Sequence, residues 1–170
     1  MSHLNFSRDA STDLFVRDAC GEYRTATADE VLQRARQVLA RRVRRGTTFS
    51  SPQVARDYLS LMLGTREHEV FVSVMLDAQH RLIEVLELFR GTIDGAAVYP
   101  REVVKEALAR NAAATIFCHN HPSGVAEPSA ADRALTERLK TALALVEVRV
   151  LDHLVVAGDS VVSFAERGIL

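Results

Sequence analysis

The sequence predicts one α/β domain, a mixed β-sheet flanked by helices, over residues 51–170, behind an N-terminal extension over residues 1–50. Two observations lead there. From residue 51 onward, apolar runs of strand length alternate with segments whose apolar residues recur at helical spacing, the pattern of a single layered domain. A chain of 170 residues with 48% hydrophobic residues is also large and apolar enough to bury one proper core. No internal repeat and no low-complexity segment points to another architecture.

The extension opens on a dozen residues rich in Ser, Asp and Asn, expected to fray. Leu14, Phe15, Val16 and Tyr23 suggest a short hairpin around Gly21. Thr27 and Glu30 then form a T-x-x-E capping box, followed by Val31, Leu32, Ala35, Val38, Leu39 and Val43 at helical spacing. Arg34, Arg36, Arg41, Arg42, Arg44 and Arg45 crowd the outer face and end of this helix, with no acid between Val31 and Arg45. Two readings fit: a patch for nucleic acid or another polyanion, or a solvated helix whose basic end suits its macrodipole. Gly46 closes it.

Ser51 and Pro52 begin the next helix as N-cap and first helical residue, and Val54, Ala55, Tyr58, Leu59 and Met62 give it an apolar face. Gly64 fits its C-terminal cap. Strands are expected at Glu69–Asp77 and Arg81–Phe89, joined by a short polar hairpin connection. A loop ending at Pro100 leads to a helix over Arg101–Asn111, with Val103, Val104, Ala107 and Leu108 inward. The apolar run Ala112–Cys118 reads as a buried strand. A helix from Ser129 to about Leu145 follows, with Leu135, Leu139, Ala142, Leu143 and Val146 inward, and strands near Val148–Ala157 and Val161–Phe164 end the chain.

Composition narrows the function classes. A net charge of −1 is wrong for a chain built mainly to coat nucleic acid. Cys20 and Cys118, the only cysteines, support neither a disulfide framework nor a cysteine-based zinc site. No signal-peptide pattern opens the chain, and no apolar run approaches the roughly 20 residues that span a bilayer. The expected setting is soluble and cytoplasmic, without membrane contact.

The chemistry concentrates in His119-Asn120-His121-Pro122-Ser123-Gly124, followed by Pro128-Ser129-Ala130-Ala131-Asp132. Strand side chains alternate faces, so His119 and His121 project together, a ready pair of metal ligands. Pro122, Gly124 and Pro128 supply turn chemistry. Ser129 with Asp132 three residues on reads as an N-cap, which puts Asp132 in a first helical turn that a short loop can fold back toward the histidines. Two imidazole nitrogens, one carboxylate oxygen and a position left for water make the ligand set of a catalytic zinc site. Taken singly, the His-x-His pair also fits a half-exposed strand, and Ser-x-x-Asp fits a plain cap.

The joint pattern, His-x-His-Pro and then Ser-x-x-Asp at fixed spacing, resembles the JAMM motif of the MPN (JAB) metalloprotease family. The extended form resembles the RadC branch of it. The resemblance runs from about Ser51 to Leu170 and includes the ending Val-Ser-Phe-Ala-Glu-Arg-Gly. It implies a cytidine-deaminase-like α/β fold, one Zn²⁺ held by His119, His121 and Asp132, and a catalytic glutamate on an early strand beside the His-x-His strand. Glu69, in a Glu-x-Phe pattern, is the expected general base and Glu67, of the same strand parity, the runner-up; both also fit exposed charges that protect a sheet edge. By the same resemblance Ser129 helps hold the oxyanion, a use that competes with capping. Full-length RadC proteins carry an N-terminal helix-hairpin-helix region associated with DNA, but residues 1–50 show no Gly-x-Gly hairpin pattern, so the chain resembles the short relatives.

Other residues are assigned lesser parts. Asn120, on the face opposite the histidines, is expected to fix a loop, and Cys118 to fill core. The Asp152-His153 pair, characteristic of RadC-like chains, fits a structural hydrogen bond better than support of a metal ligand. His3, His68 and His80 receive no role. Residues 94–99 and Gly124–Glu127 are the expected specificity loops.

The expected function is hydrolysis of a peptide or isopeptide bond in an unidentified peptide or protein. The alternative is a DNA-repair or mobile-element-associated nucleic-acid or protein binding module, with a structural or vestigial metal site and a weak nucleic-acid contact through Arg41, Arg42, Arg44 and Arg45. A nucleobase deaminase would need His-x-Glu and a Pro-Cys-x-x-Cys pair, both absent. The letters His-Asn-His also mimic a nuclease motif whose residues are in fact spread over a longer unit.

Overall fold

The computed structural model describes residues 14–42, 45–46, 52–91 and 98–170, the side chains of 40–42 and 52 excepted. Its elements run β1 (Phe15–Arg17), β2 (Tyr23–Thr25), α1 (Ala28–Arg42), α2 (Pro52–Leu63), β3 (Val70–Leu76), β4 (Leu82–Arg90), α3 (Pro100–Ala109), β5 (Ala114–Asn120), α4 (Ala130–Ala144), β6 (Arg149–Ala157) and β7 (Ser160–Ser163). The chain divides into two compact units, Met1–Leu39 and Ala40–Leu170.

In the first unit β1 and β2 pair antiparallel around Gly21, which adopts a positive φ of 86° as the tight turn requires. The expected capping box is present. The Glu30 N–H donates to Thr27 Oγ1 at 3.3 Å, and the Thr27 N–H donates to Glu30 Oε2 at 2.9 Å. Of the predicted apolar stripe on α1, Val31, Ala35 and Leu39 are half-buried while Leu32 and Val38 are exposed.

The second unit is built on a five-stranded sheet in the order β4-β3-β5-β6-β7. Every neighbouring pair is antiparallel except β5 and β6, which run parallel because α4 crosses between them. Strand alternation sends apolar side chains to both faces, and each face has its own core. On one, Ala55, Leu59 and Leu63 of α2 cover Val72, Val74, Ile116, Cys118, Leu154 and Val156. On the other, Val103 and Ala107 of α3 and Leu139 and Leu143 of α4 cover Phe71, Met75 and Phe117. Helices thus lie on both sides of a mixed sheet, the architecture expected from the sequence.

Three expectations need correction. Pro100 is the first residue of α3 rather than the end of a loop, since its missing N–H costs nothing at that position. Leu108, expected inward, is exposed, because the α3 contact is narrow and centred on Val103 and Ala107. Gly64 has no positive φ, so it is not a left-handed cap. A Cβ there would lie 2.7 Å from the Gly158 carbonyl oxygen, so the glycine serves close approach of α2 to the β6–β7 turn. Ser51, the expected N-cap of α2, lies outside the described residues.

Candidate metal centre

His119 is the penultimate residue of β5 and is buried. His121 stands one residue past the strand end, yet its N–H still donates to the Val156 carbonyl of β6 at 2.8 Å. That bond keeps the chain extended for one more step, so the two imidazoles stay on one face with their Nε2 atoms 2.9 Å apart. The chain then turns through Gly124, at φ +81°, and reaches Ser129, the N-cap of α4.

The capping box does more than end-cap a helix. Ser129 Oγ accepts from the Asp132 N–H at 3.1 Å, and the Ser129 N–H and hydroxyl donate to Asp132 Oδ2 at 2.7 and 2.6 Å. These bonds aim the carboxylate, whose Oδ1 lies 3.2 Å from His119 Nε2 and whose Oδ2 lies 3.5 Å from His121 Nε2. His119, His121 and Asp132 form a group whose ligand atoms all lie within 4.8 Å of one another. Tetrahedral zinc with bonds of about 2.0–2.1 Å separates its ligand atoms by about 3.3 Å, so these spacings fit a divalent ion. The His121 tautomer fits as well. Its Nδ1 sits 2.7 Å from the Val125 carbonyl, which can only accept, so Nδ1 carries a proton and Nε2 is the nitrogen that can offer a lone pair to an ion at the cluster.

Electrostatics favour a charged Asp132. Burial pushes its carboxyl up, but the hydrogen bond and charge of His119, with the bonds from Ser129, outweigh this and hold it well below the usual carboxylate range.

The residues around the cluster divide by face. Cys118 is fully buried in the α2-side core, where burial, with Asp152 adding, pushes its thiol well up; it is core filler, as expected. Asn120, also facing away, fixes the stretch before β3. Its Oδ1 accepts from the Val70 N–H at 2.8 Å, and its Nδ2 donates to the carbonyls of His68 at 3.0 Å and Arg66 at 3.3 Å.

Asp152 and His153 part company because consecutive strand residues face opposite ways. Asp152 behaves as expected, accepting from the N–H groups of His153 and Ala165 and from the Ser163 hydroxyl. His153 does not. It is fully buried on the metal side, with Nε2 2.9 Å from His119 Nδ1 and Nδ1 2.7 Å from Thr136 Oγ1. The expectation of a merely structural pair is therefore wrong for His153. Burial first, and then the neighbouring His119, push its imidazole well below the ordinary value. Thr136 was missed altogether. Its signal was readable, since it stands four residues after Asp132 and so on the same helix face.

Glu69 immediately precedes β3, and the Gly91 N–H donates to its carbonyl at 2.8 Å. Phe71 pairs directly with His119, so Glu69, two residues earlier, is of the parity that faces the metal side. Glu67 is exposed on the bend behind it. Of the arginines considered for nucleic acid, Arg45 is exposed, whereas Arg44 and the side chains of Arg41 and Arg42 lie outside the described residues, as does most of the 94–99 loop. Among the described residues no helix is long and apolar enough to cross a membrane.

Comparison with known proteins agrees with this geometry. The profile of the RadC-like JAB domain matches residues 49–169. A UPF0758 protein of Methylibium petroleiphilum is 62% identical over 150 residues, covering 88% of this chain and 68% of its own length. UPF0758 proteins of Leptothrix cholodnii and Nitrosomonas eutropha are 59% and 57% identical over the same share of this chain, and over 68% and 67% of their own lengths.

Proposed function

The chain belongs to the RadC-like JAB domain family, and from that premise and the geometry of the cluster we propose that it is a zinc-dependent metallohydrolase acting on a peptide or isopeptide bond. The observation that carries the reading is the convergence of two imidazoles and one carboxylate within 4.8 Å, the nitrogen–oxygen donor set of catalytic rather than structural zinc. His119, His121 and Asp132 would hold the ion. When bound, zinc supplies Lewis acidity and brings the pKa of a water to about 7.

The remaining work falls to side chains of this chain. Glu69, on the metal-side parity, takes the proton of the attacking water and passes it to the leaving amine. Asn120 holds the main chain from Arg66 to Val70, and with it the point from which Glu69 projects. Ser129 has a single hydroxyl proton. In the resting state it goes to Asp132 Oδ2, and during reaction it turns to the developing oxyanion, while the Asp132 N–H keeps the hydroxyl in place.

The test is cleavage of a peptide and isopeptide probe library by the zinc-loaded full chain and by Glu69→Gln. Cleavage by the parent, with a fall of about 10²–10⁴-fold in Glu69→Gln at unchanged zinc content, is the expected result. A zinc-loaded parent that cleaves no probe, or a variant that cleaves as well as the parent, contradicts the proposal.

A further inference from the structure

We infer that Thr136 and His153 are positioning residues that set the tautomer of His119, through a one-way chain of hydrogen bonds anchored on the main chain of the helix that carries Asp132. The inference deepens the metal reading and rests on it for its purpose, although the bonds themselves stand independently.

Direction follows from the first bond. Thr136 Oγ1 lies 2.6 Å from the Asp132 carbonyl oxygen, which can only accept, so the one hydroxyl proton of Thr136 points there. Toward His153 Nδ1, 2.7 Å away, the same oxygen can then only accept, and Nδ1 must carry a hydrogen. The His153 ring is packed among those of Phe71, Phe117 and Phe164, with no exposed surface and, among the described residues, no carboxylate hydrogen-bonded to either ring nitrogen, an environment that favours the neutral ring. A neutral ring protonated on Nδ1 is bare on Nε2. That bare nitrogen faces His119 Nδ1 at 2.9 Å, so His119 Nδ1 must donate. With Nδ1 committed to His153, Nε2 is the nitrogen of His119 that can offer a lone pair to a cation, and it lies 3.2 Å from Asp132 Oδ1.

The consequence appears at the cluster. The Val125 carbonyl likewise occupies Nδ1 of His121. With His119 set the same way, the two Nε2 atoms, 2.9 Å apart beside a carboxylate, are the nitrogens left to hold a cation. Helix α4 thus contributes twice, once through the Asp132 carboxylate and once through the Asp132 carbonyl that orients Thr136. Partners of this kind, one shell behind a ligand, typically hold a factor of 10–100 in metal affinity.

The test reads the tautomer of His153 by nitrogen NMR of the isotope-labelled, zinc-free full chain. Nδ1 protonated and Nε2 bare, the form that free histidine disfavours, is expected. A proton on Nε2 overturns the relay whether or not the protein binds zinc. The expected tautomer in a chain that binds no zinc supports the relay and removes the metal reading, so the two fail separately. Thr136→Val keeps the shape and deletes the hydroxyl. It is expected to free His153 to move its proton to Nε2 and to weaken zinc about 10–100-fold in competition with a chelator, with Thr136→Ser retaining the parent behaviour. Parent-like affinity and tautomer in Thr136→Val overturn the inference, and should that variant not fold, the spectrum of the unmodified protein decides alone.

Discussion

Ser129 has one hydroxyl proton, and its N–H and Oγ make three hydrogen bonds of 3.1 Å or less, all with Asp132. Replacing it by alanine removes the acceptor for the Asp132 N–H and one of two donors to Oδ2. A loss of about 1 kcal/mol in urea unfolding is expected, together with weaker zinc retention, whereas Ser129→Thr should keep both. Asn120 offers a second single-residue test. In Asn120→Ala the buried Val70 N–H and the carbonyls of Arg66 and His68 lose their partner, and a stability loss of about 2–3 kcal/mol is expected. Parent-like unfolding would show that the stretch before β3 is held by other means. Asp132 gives a pH-dependent prediction whose sign follows from its depressed pKa. The stability it contributes to the zinc-free chain is fully present above the ordinary carboxylate range and is lost as pH falls through the depressed folded value. Asp132→Asn should therefore flatten the acid limb of the urea midpoint plotted against pH, and an unchanged limb would contradict the charge assignment.

At the scale of elements, the alternation of faces explains both what could be read from the sequence and what could not. The parity of His119 and His121, the capping box at Ser129 and the apolar runs of β3 and β5 are local patterns, and all were legible. The part played by His153 was not, because it depends on which strand lies beside β5 and in what register. The chain supplies β6 as the parallel neighbour with His153 opposite Phe117, a relation between residues 36 apart that no local pattern records. Gly64 misled for a related reason. A glycine ending a helix suggests a left-handed cap, whereas here it makes room for the Gly158 carbonyl. Gly64→Ala is expected to cost about 1–3 kcal/mol, as overpacking against unyielding backbone does. A neutral or stabilising result in thermal unfolding would mean that the β6–β7 turn can move away.

Across the whole second unit, the cluster joins elements that are distant in sequence. His119 and His121 come from the β5 end, Asp132 from the start of α4, His153 from the middle of β6, and Glu69 from the approach to β3. An ion bound there by the folded chain alone stabilises it by mass action, about 2.7 kcal/mol at a free concentration one hundred times the Kd. Zinc should accordingly raise the unfolding midpoint in the parent and not in His121→Ala. The most direct measurement is the X-ray absorption spectrum of the zinc-loaded full chain, with His119→Ala and His121→Ala beside it. About one equivalent of zinc, surrounded by two imidazole nitrogens and two oxygens at about 2.0–2.2 Å, with one imidazole lost in each variant, is expected. A sulfur neighbour, or an imidazole count that neither substitution changes, would contradict the assignment of the ion to these three side chains.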